Sequence, residues 1–152
     1  MEKRLLVLHY FFPVPKNRLN RLYEIDPGLE NFHTYSAERL SNLLNITSLK
    51  ASRLQANLLN NSDTPYELLY KQYKITPIPF SNPIYPEHLL KLIDPPSVLY
   101  MKGDPDILSH KYKVAVIGSR KATEYSRDAI SLIAPPLVEN NIVIVSGLAK
   151  GA

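Results

Sequence analysis

The chain has 152 residues, 45% of them hydrophobic and 21% charged, which is a folded globular composition with length for one ordinary domain or two small ones. Cysteine is absent, excluding disulfides, thiolate metal sites and thiol catalysis, and no apolar run approaches the roughly 18 residues of a membrane span. The 18 basic and 14 acidic side chains leave a net charge of +4 with no polybasic tail, so any anion site must rest on geometry more than on bulk charge.

At the N-terminus, Glu2-Lys3-Arg4 precedes an apolar stretch, Leu5 to Phe12, that imitates a signal peptide. The stretch is short, is interrupted by His9 and lacks a small-residue cleavage site, so it reads as a buried first helix of a cytoplasmic protein. Through residue 74 the apolar spacing is helical. Leu19, Leu22 and Tyr23 recur at i, i+3, i+4; Ala37, Leu40 and Leu44, and then Ala51, Leu54 and Leu58, recur at i, i+3, i+7. Thr64-Pro65-Tyr66-Glu67 predicts a capped helix start, with Thr64 as cap, Pro65 at the first helical position and Glu67 as the capping-box acid. Tyr66, Leu69, Tyr70 and Tyr73 form its apolar stripe. Residues 1–74 therefore read as a small all-helical domain.

Residues 75–112 hold seven of the 13 prolines and read as an ordered connector. Ile75 to Pro79 is extended at best, because proline donates no ladder hydrogen bond. A short helix from Pro86 to Ile93 ends at Pro95-Pro96. Val98 to Met101 is a strand, and Lys102-Gly103-Asp104 turns out of it.

Residues 113–152 carry two apolar runs, Val114 to Ile117 and Ile142 to Val145, of the kind buried on both faces of a parallel sheet. Between them lies an amphipathic stretch from about Thr123, in which Pro135-Pro136 predicts a kink or an early stop. The spacing suits one right-handed strand–helix–strand unit. Two strands and one helix cover only one sheet face, so an apolar surface and an open strand edge are expected to face solvent.

Parallel strands end on one edge, where ligands of open α/β sheets bind. Gly118-Ser119-Arg120 follows the first strand; Ser146-Gly147-Leu148-Ala149-Lys150-Gly151 follows the second. Bare backbone, hydroxyls and cations converge there into an anion rim for which phosphate is the natural ligand. Arg120 suits bidentate contact, and Lys121 and Lys150 suit longer-range attraction. Tyr125, just inside the helix, packs against the fold or stacks on a base, packing being the expected role. Sharper nucleotide and hydrolase motifs fail on residue identity: Arg120 replaces a fingerprint glycine, Lys150 is followed by Gly151, and Ile144 and Leu148 flank Ser146 where an elbow needs glycine. The four histidines show no metal spacing and read as surface or packing residues.

These segments resemble a known family. Tyr85-Pro86, Leu89, Asp94-Pro95-Pro96, Val98-Leu99-Tyr100 and Lys102-Gly103-Asp104 are similar to the approach segment of the DNA-processing protein A family (DprA, also called Smf). Val114 to Tyr125 resembles its first Rossmann strand and Gly-Ser-Arg loop, and Ile144 to Gly151 its second signature. The resemblance covers residues 75–152. It implies a helical (SAM-like) domain at 1–74, a connector at 75–112, and at 113–152 the first unit of a Rossmann-like doubly wound parallel sheet. On this view the chain is an N-terminal fragment of an α/β protein, with the remaining strands and helices missing.

The implied function is binding single-stranded DNA, protecting incoming strands and loading the recombinase RecA in natural transformation. The implied protein is not an enzyme, takes no cofactor or metal, and forms a homodimer. Carried over by residue, Gly118, Ser119, Arg120, Ser146, Gly147 and Gly151 hold DNA phosphates, with Lys121 and Lys150 as auxiliary contacts. Ser126 departs from the family's usual glycine and is expected to alter the helix start slightly, and Asn82 stands where an aspartate is common. Two other readings compete: a Rossmann-like nucleotide or phosphoribosyl hydrolase, for which only Glu124 and Asp128 lie close in sequence, and a helical protein-interaction module.

Overall fold

The computed structural model describes residues 2–61 and 65–149, and the chain divides into two compact units, Met1–Pro105 and Asp106–Ala152. No helix among the described residues is long and apolar enough to cross a membrane.

The first unit is built on five helices: α1 (Glu2–Phe11), α2 (Lys16–Ile25), α3 (Ala37–Leu44), α4 (Ser48–Asn60) and α5 (Tyr66–Gln72). The stripes that the sequence spacing predicts face inward. Leu5 and Leu8 of α1, Leu19 and Leu22 of α2, Leu40 and Leu44 of α3, and Ala51, Leu54 and Leu58 of α4 form one core. Ser36 and Thr47 cap α3 and α4 by accepting the N–H groups of Arg39 and Lys50. The buried Asp26 closes α2, its carboxylate accepting the N–H groups of Glu30 and Asn31 at 2.7 Å each.

The start of α5 differs from the expectation. Thr64 lies outside the described residues, Pro65 stands at the cap one residue before the helix, and Glu67 pairs with Lys3 at 3.0 Å. Tyr66 and Tyr70 are buried, but Tyr73 sits past the last turn and is exposed, because the helix ends before the stripe does.

The proline-rich segment contributes an antiparallel pair, β1 (Thr76–Pro79) and β2 (Val98–Met101), with Pro77 opposite Tyr100 and Pro79 opposite Val98. Proline is tolerated here by parity. Phe80 donates to the Ser97 carbonyl at 3.0 Å, so the even-numbered residues of β1 face the partner strand. Pro77 and Pro79 then turn their missing donors to the free edge, which also blunts it. This pair belongs to the first unit: Ile78 and Val98 are buried, Lys16 donates to the Pro95 carbonyl at 2.8 Å, and Tyr85 Oη donates to the Pro96 carbonyl at 2.7 Å. The predicted helix after Pro86 is a 3-10 helix, Glu87–Lys91. Asn82 performs the turn role of an acid, its side-chain oxygen accepting the Ile84 N–H at 3.1 Å.

One histidine joins three elements of this unit. Tyr70 Oη lies 3.4 Å from Tyr100 Oη, and Tyr100 Oη shares a hydrogen bond of 2.9 Å with His9 Nδ1. Burial holds the His9 imidazole below its ordinary value and, with Tyr70 beside it, pushes the Tyr100 phenol up.

The second unit runs β3 (Lys113–Ala115), α6 (Glu124–Glu139) and β4 (Val143–Val145). The strands are parallel, with Val114 opposite Ile144 and Ala115 opposite Val145, and the ladder extends through the Val116 N–H to the Val145 carbonyl at 2.8 Å. Ile130, Ile133, Ala134 and Leu137 of α6 line an open apolar groove with Val116 and Ile144. No described residue of this unit is buried; Val114 is 38% and Ile117 89% exposed, because one helix shields one face only. The exposure expected from that shortage of cover is present.

Pro135 and Pro136 do not stop α6, which continues to Glu139. Their fixed φ is itself helical, and the carbonyl groups that lose a partner, those of Ser131 and Leu132, belong to exposed residues that water can satisfy.

Candidate functional site

The parallel register brings the loop at residues 116–123 and the loop at residues 146–149 out of one edge of the β3–β4 pair. Gly118, Ser119 and Arg120 therefore share that edge with Ser146 and Gly147. Lys150 and Gly151 lie outside the described residues.

The two loops use the same local device. Ser119 Oγ accepts the Lys121 N–H at 3.1 Å, and Ser146 Oγ accepts the Leu148 N–H at 3.2 Å. Each serine oxygen thus fixes its own turn, while its hydroxyl proton keeps the capacity to donate outward. Sequence reading marked both serines but not this pairing, which shows only when the two turns are compared.

Gly147 has no positive φ, and a Cβ built on it would meet nothing within 4 Å among the described residues. Internal packing therefore does not require glycine there. The next residue, Leu148, holds φ at 46° in the left-handed region with its side chain exposed, a conformation that costs a non-glycine residue free energy.

Four residues beyond Arg120, α6 begins. Thr123 Oγ1 accepts the Ser126 N–H and Ser126 Oγ accepts the Thr123 N–H, both at 3.4 Å, in a closed capping box. Ser126 therefore secures the helix start that its departure from glycine was expected to disturb. The first turn stays near the strand edge by topology, because the helix of a strand–helix–strand unit starts where the first strand ends.

Arg120 and Lys121 are exposed, and neither takes part in an ion pair among the described residues. Tyr125 is 81% exposed, so the packing role expected for it is not realised. The edge thus offers cations, donor hydroxyls, bare backbone and one solvent-facing ring, a set suited to a phosphate-bearing ligand with stackable bases. No group of three histidine, aspartate or glutamate residues that would hold a metal occurs among the described residues.

The family model for DNA recombination-mediator protein A matches residues 76–152, which include both loops. A Bacillus subtilis protein, DNA processing protein DprA, is 38% identical over 82 residues, covering 54% of this chain and 28% of that protein. The Streptococcus pneumoniae DNA processing protein DprA is 43% identical over 67 residues, covering 44% and 23% respectively. Protein Smf of Escherichia coli is 35% identical over 74 residues, covering 49% and 20%. The chain thus spans about a quarter of the length of these curated relatives. No solved structure matches it.

Proposed function

The chain belongs to the DNA recombination-mediator protein A family, and from that premise we propose that it is a DNA-processing protein of recombination that binds single-stranded DNA along the β3–β4 edge. One observation carries the reading: the parallel register that unites the two loops lies inside the family-matched segment. Arg120 grips a phosphate, Ser119 and Ser146 donate to phosphate oxygens, and Gly118, Gly147 and Gly151 let the strand approach the backbone. Lys121 and Lys150 add long-range attraction, and Tyr125 gives a base a ring to stack on.

The β3–α6–β4 unit is, on this reading, the opening of a Rossmann-like doubly wound sheet. The protein works as a binding module rather than an enzyme, as a homodimer, and hands its DNA to RecA.

The test is titration of a fluorescein-labelled oligo-dT with the full chain, read by anisotropy. Loss of one charge-assisted phosphate contact is worth about 1.5–3 kcal/mol, so Arg120→Ala weakens binding at least about tenfold. Gly147→Ala is expected to weaken it too while leaving the melting curve unchanged, since the added methyl meets no described residue of the chain. Equal affinity of Arg120→Ala and the parent chain overturns the site.

A further inference from the structure

We propose that α3 and α4 form a helix-turn-helix whose second helix seats on duplex DNA, a site in the first unit that is separate from the single-strand edge and concerns a different form of DNA.

The geometry is that of a rigid helix pair. The eight-residue α3 ends at Asn45, which takes the left-handed conformation (φ 50°, ψ 56°), and only Asn45-Ile46-Thr47 separate it from α4. Helix-turn-helix motifs join their helices by a turn of three or four residues. This turn is pinned from both sides: the Ile46 N–H donates to the Ser41 carbonyl at 3.1 Å, and Ser41 Oγ donates back to the Ile46 carbonyl at 2.6 Å. Thr47 caps α4. Leu40 and Leu44 pack with Ala51 and Leu54, all buried, and α2 packs on α3 to complete a three-helix support.

The outward side of α4 has the chemistry of a duplex reader. At 100° per residue, Lys50, Arg53, Asn57 and Asn60 fall on one flank, and all four are exposed. α4 contains no acidic residue, and residues 37–61 set Arg39, Lys50 and Arg53 against Glu38 alone. Neither Lys50 nor Arg53 is in an ion pair among the described residues. Cations near the start of the helix suit phosphates. The two amides each offer a donor and an acceptor for base edges, and the major groove admits one helix. Single-strand sites rely on aromatic platforms, and α4 has no aromatic residue. The exposed Leu59 lies toward the other flank, and the exposed Leu49 borders the polar flank beside Asn60.

The experiment measures anisotropy of a labelled 20-base-pair duplex and a labelled 20-nucleotide single strand with the full chain across a salt series. Removing two phosphate contacts lowers the salt slope for duplex by about 2, and Lys50→Ala with Arg53→Ala is expected to weaken duplex binding tenfold or more. Single-strand affinity and the thermal melt stay unchanged. The swap Lys50→Arg with Arg53→Lys keeps duplex binding, whereas Arg120→Ala lowers single-strand binding and spares duplex. Absence of salt-sensitive duplex binding by the parent chain overturns the proposal. So does equal duplex affinity of the double alanine variant, or a parallel loss on both forms of DNA.

Discussion

The two compact units draw on the same kinds of apolar residue and finish with opposite outcomes. In Met1–Pro105, six leucines of the first three inward-facing helical stripes are fully sealed from solvent; in Asp106–Ala152, no described residue is buried. The reason lies in what each element requires. A helix satisfies its own backbone and needs one neighbour for its apolar stripe, which the other helices supply. A parallel strand needs a neighbour on each edge and a cover on each face, and β3 and β4 have one of each. The two loops of the candidate site leave the carboxyl ends of these same strands, so the less covered unit carries the candidate site.

The contrast is sharpest in core truncations. Leu54→Ala is expected to destabilise the first unit by about 2–5 kcal/mol, the cost of a lost leucine side chain in a closed core. Ile133→Ala on the half-exposed face of α6 is expected to cost less than about 1 kcal/mol. Urea titrations followed by circular dichroism measure both, and equal losses would break the comparison.

A smaller effect concerns pH. Burial depresses the His9 pKa in the folded state below the ordinary 6.5, so between those two values the unfolded chain binds more protons. Stability of the first unit is therefore complete above about pH 6.5 and falls as pH drops toward the folded value, by at most about 1.4 kcal/mol per pH unit. Thermal melts from pH 7.5 to 5 read this slope, and His9→Gln flattens it. A pH-independent melt of the parent chain contradicts the assignment.

A further small effect has the opposite sign. Tyr23 Oη is buried with no hydrogen-bond partner among the described residues, and burial pushes its phenol up to about 12. Tyr23→Phe keeps the ring that meets Phe80 edge-on and removes the orphan hydroxyl. A gain of about 1 kcal/mol in the same urea titration is expected.

Much of this was legible from residues in order. The helical stripes of α2, α3 and α4, the strand at Val98 and the two apolar runs around α6 all follow from apolar spacing. The loops of the candidate site were legible as small residues after those runs. Several features were not. Ser126 as a capping partner and the twin turns at Ser119 and Ser146 depend on side-chain geometry that spacing does not encode. Pro135 and Pro136 read as breakers because sequence does not say whether the carbonyl groups they orphan face water.

The sequence by itself determined which faces of α2, α3 and α4 turn inward and which short loops carry small residues, because both depend on residues a few positions apart. Tertiary structure decided the rest. It set Pro77 and Pro79 on the free edge of a strand that pairs with residues about twenty positions on, and it linked His9 to Tyr100 across 91 residues. It also laid β3 beside β4 in parallel, Lys113 opposite Val143, a pairing across 30 residues that no local pattern contains.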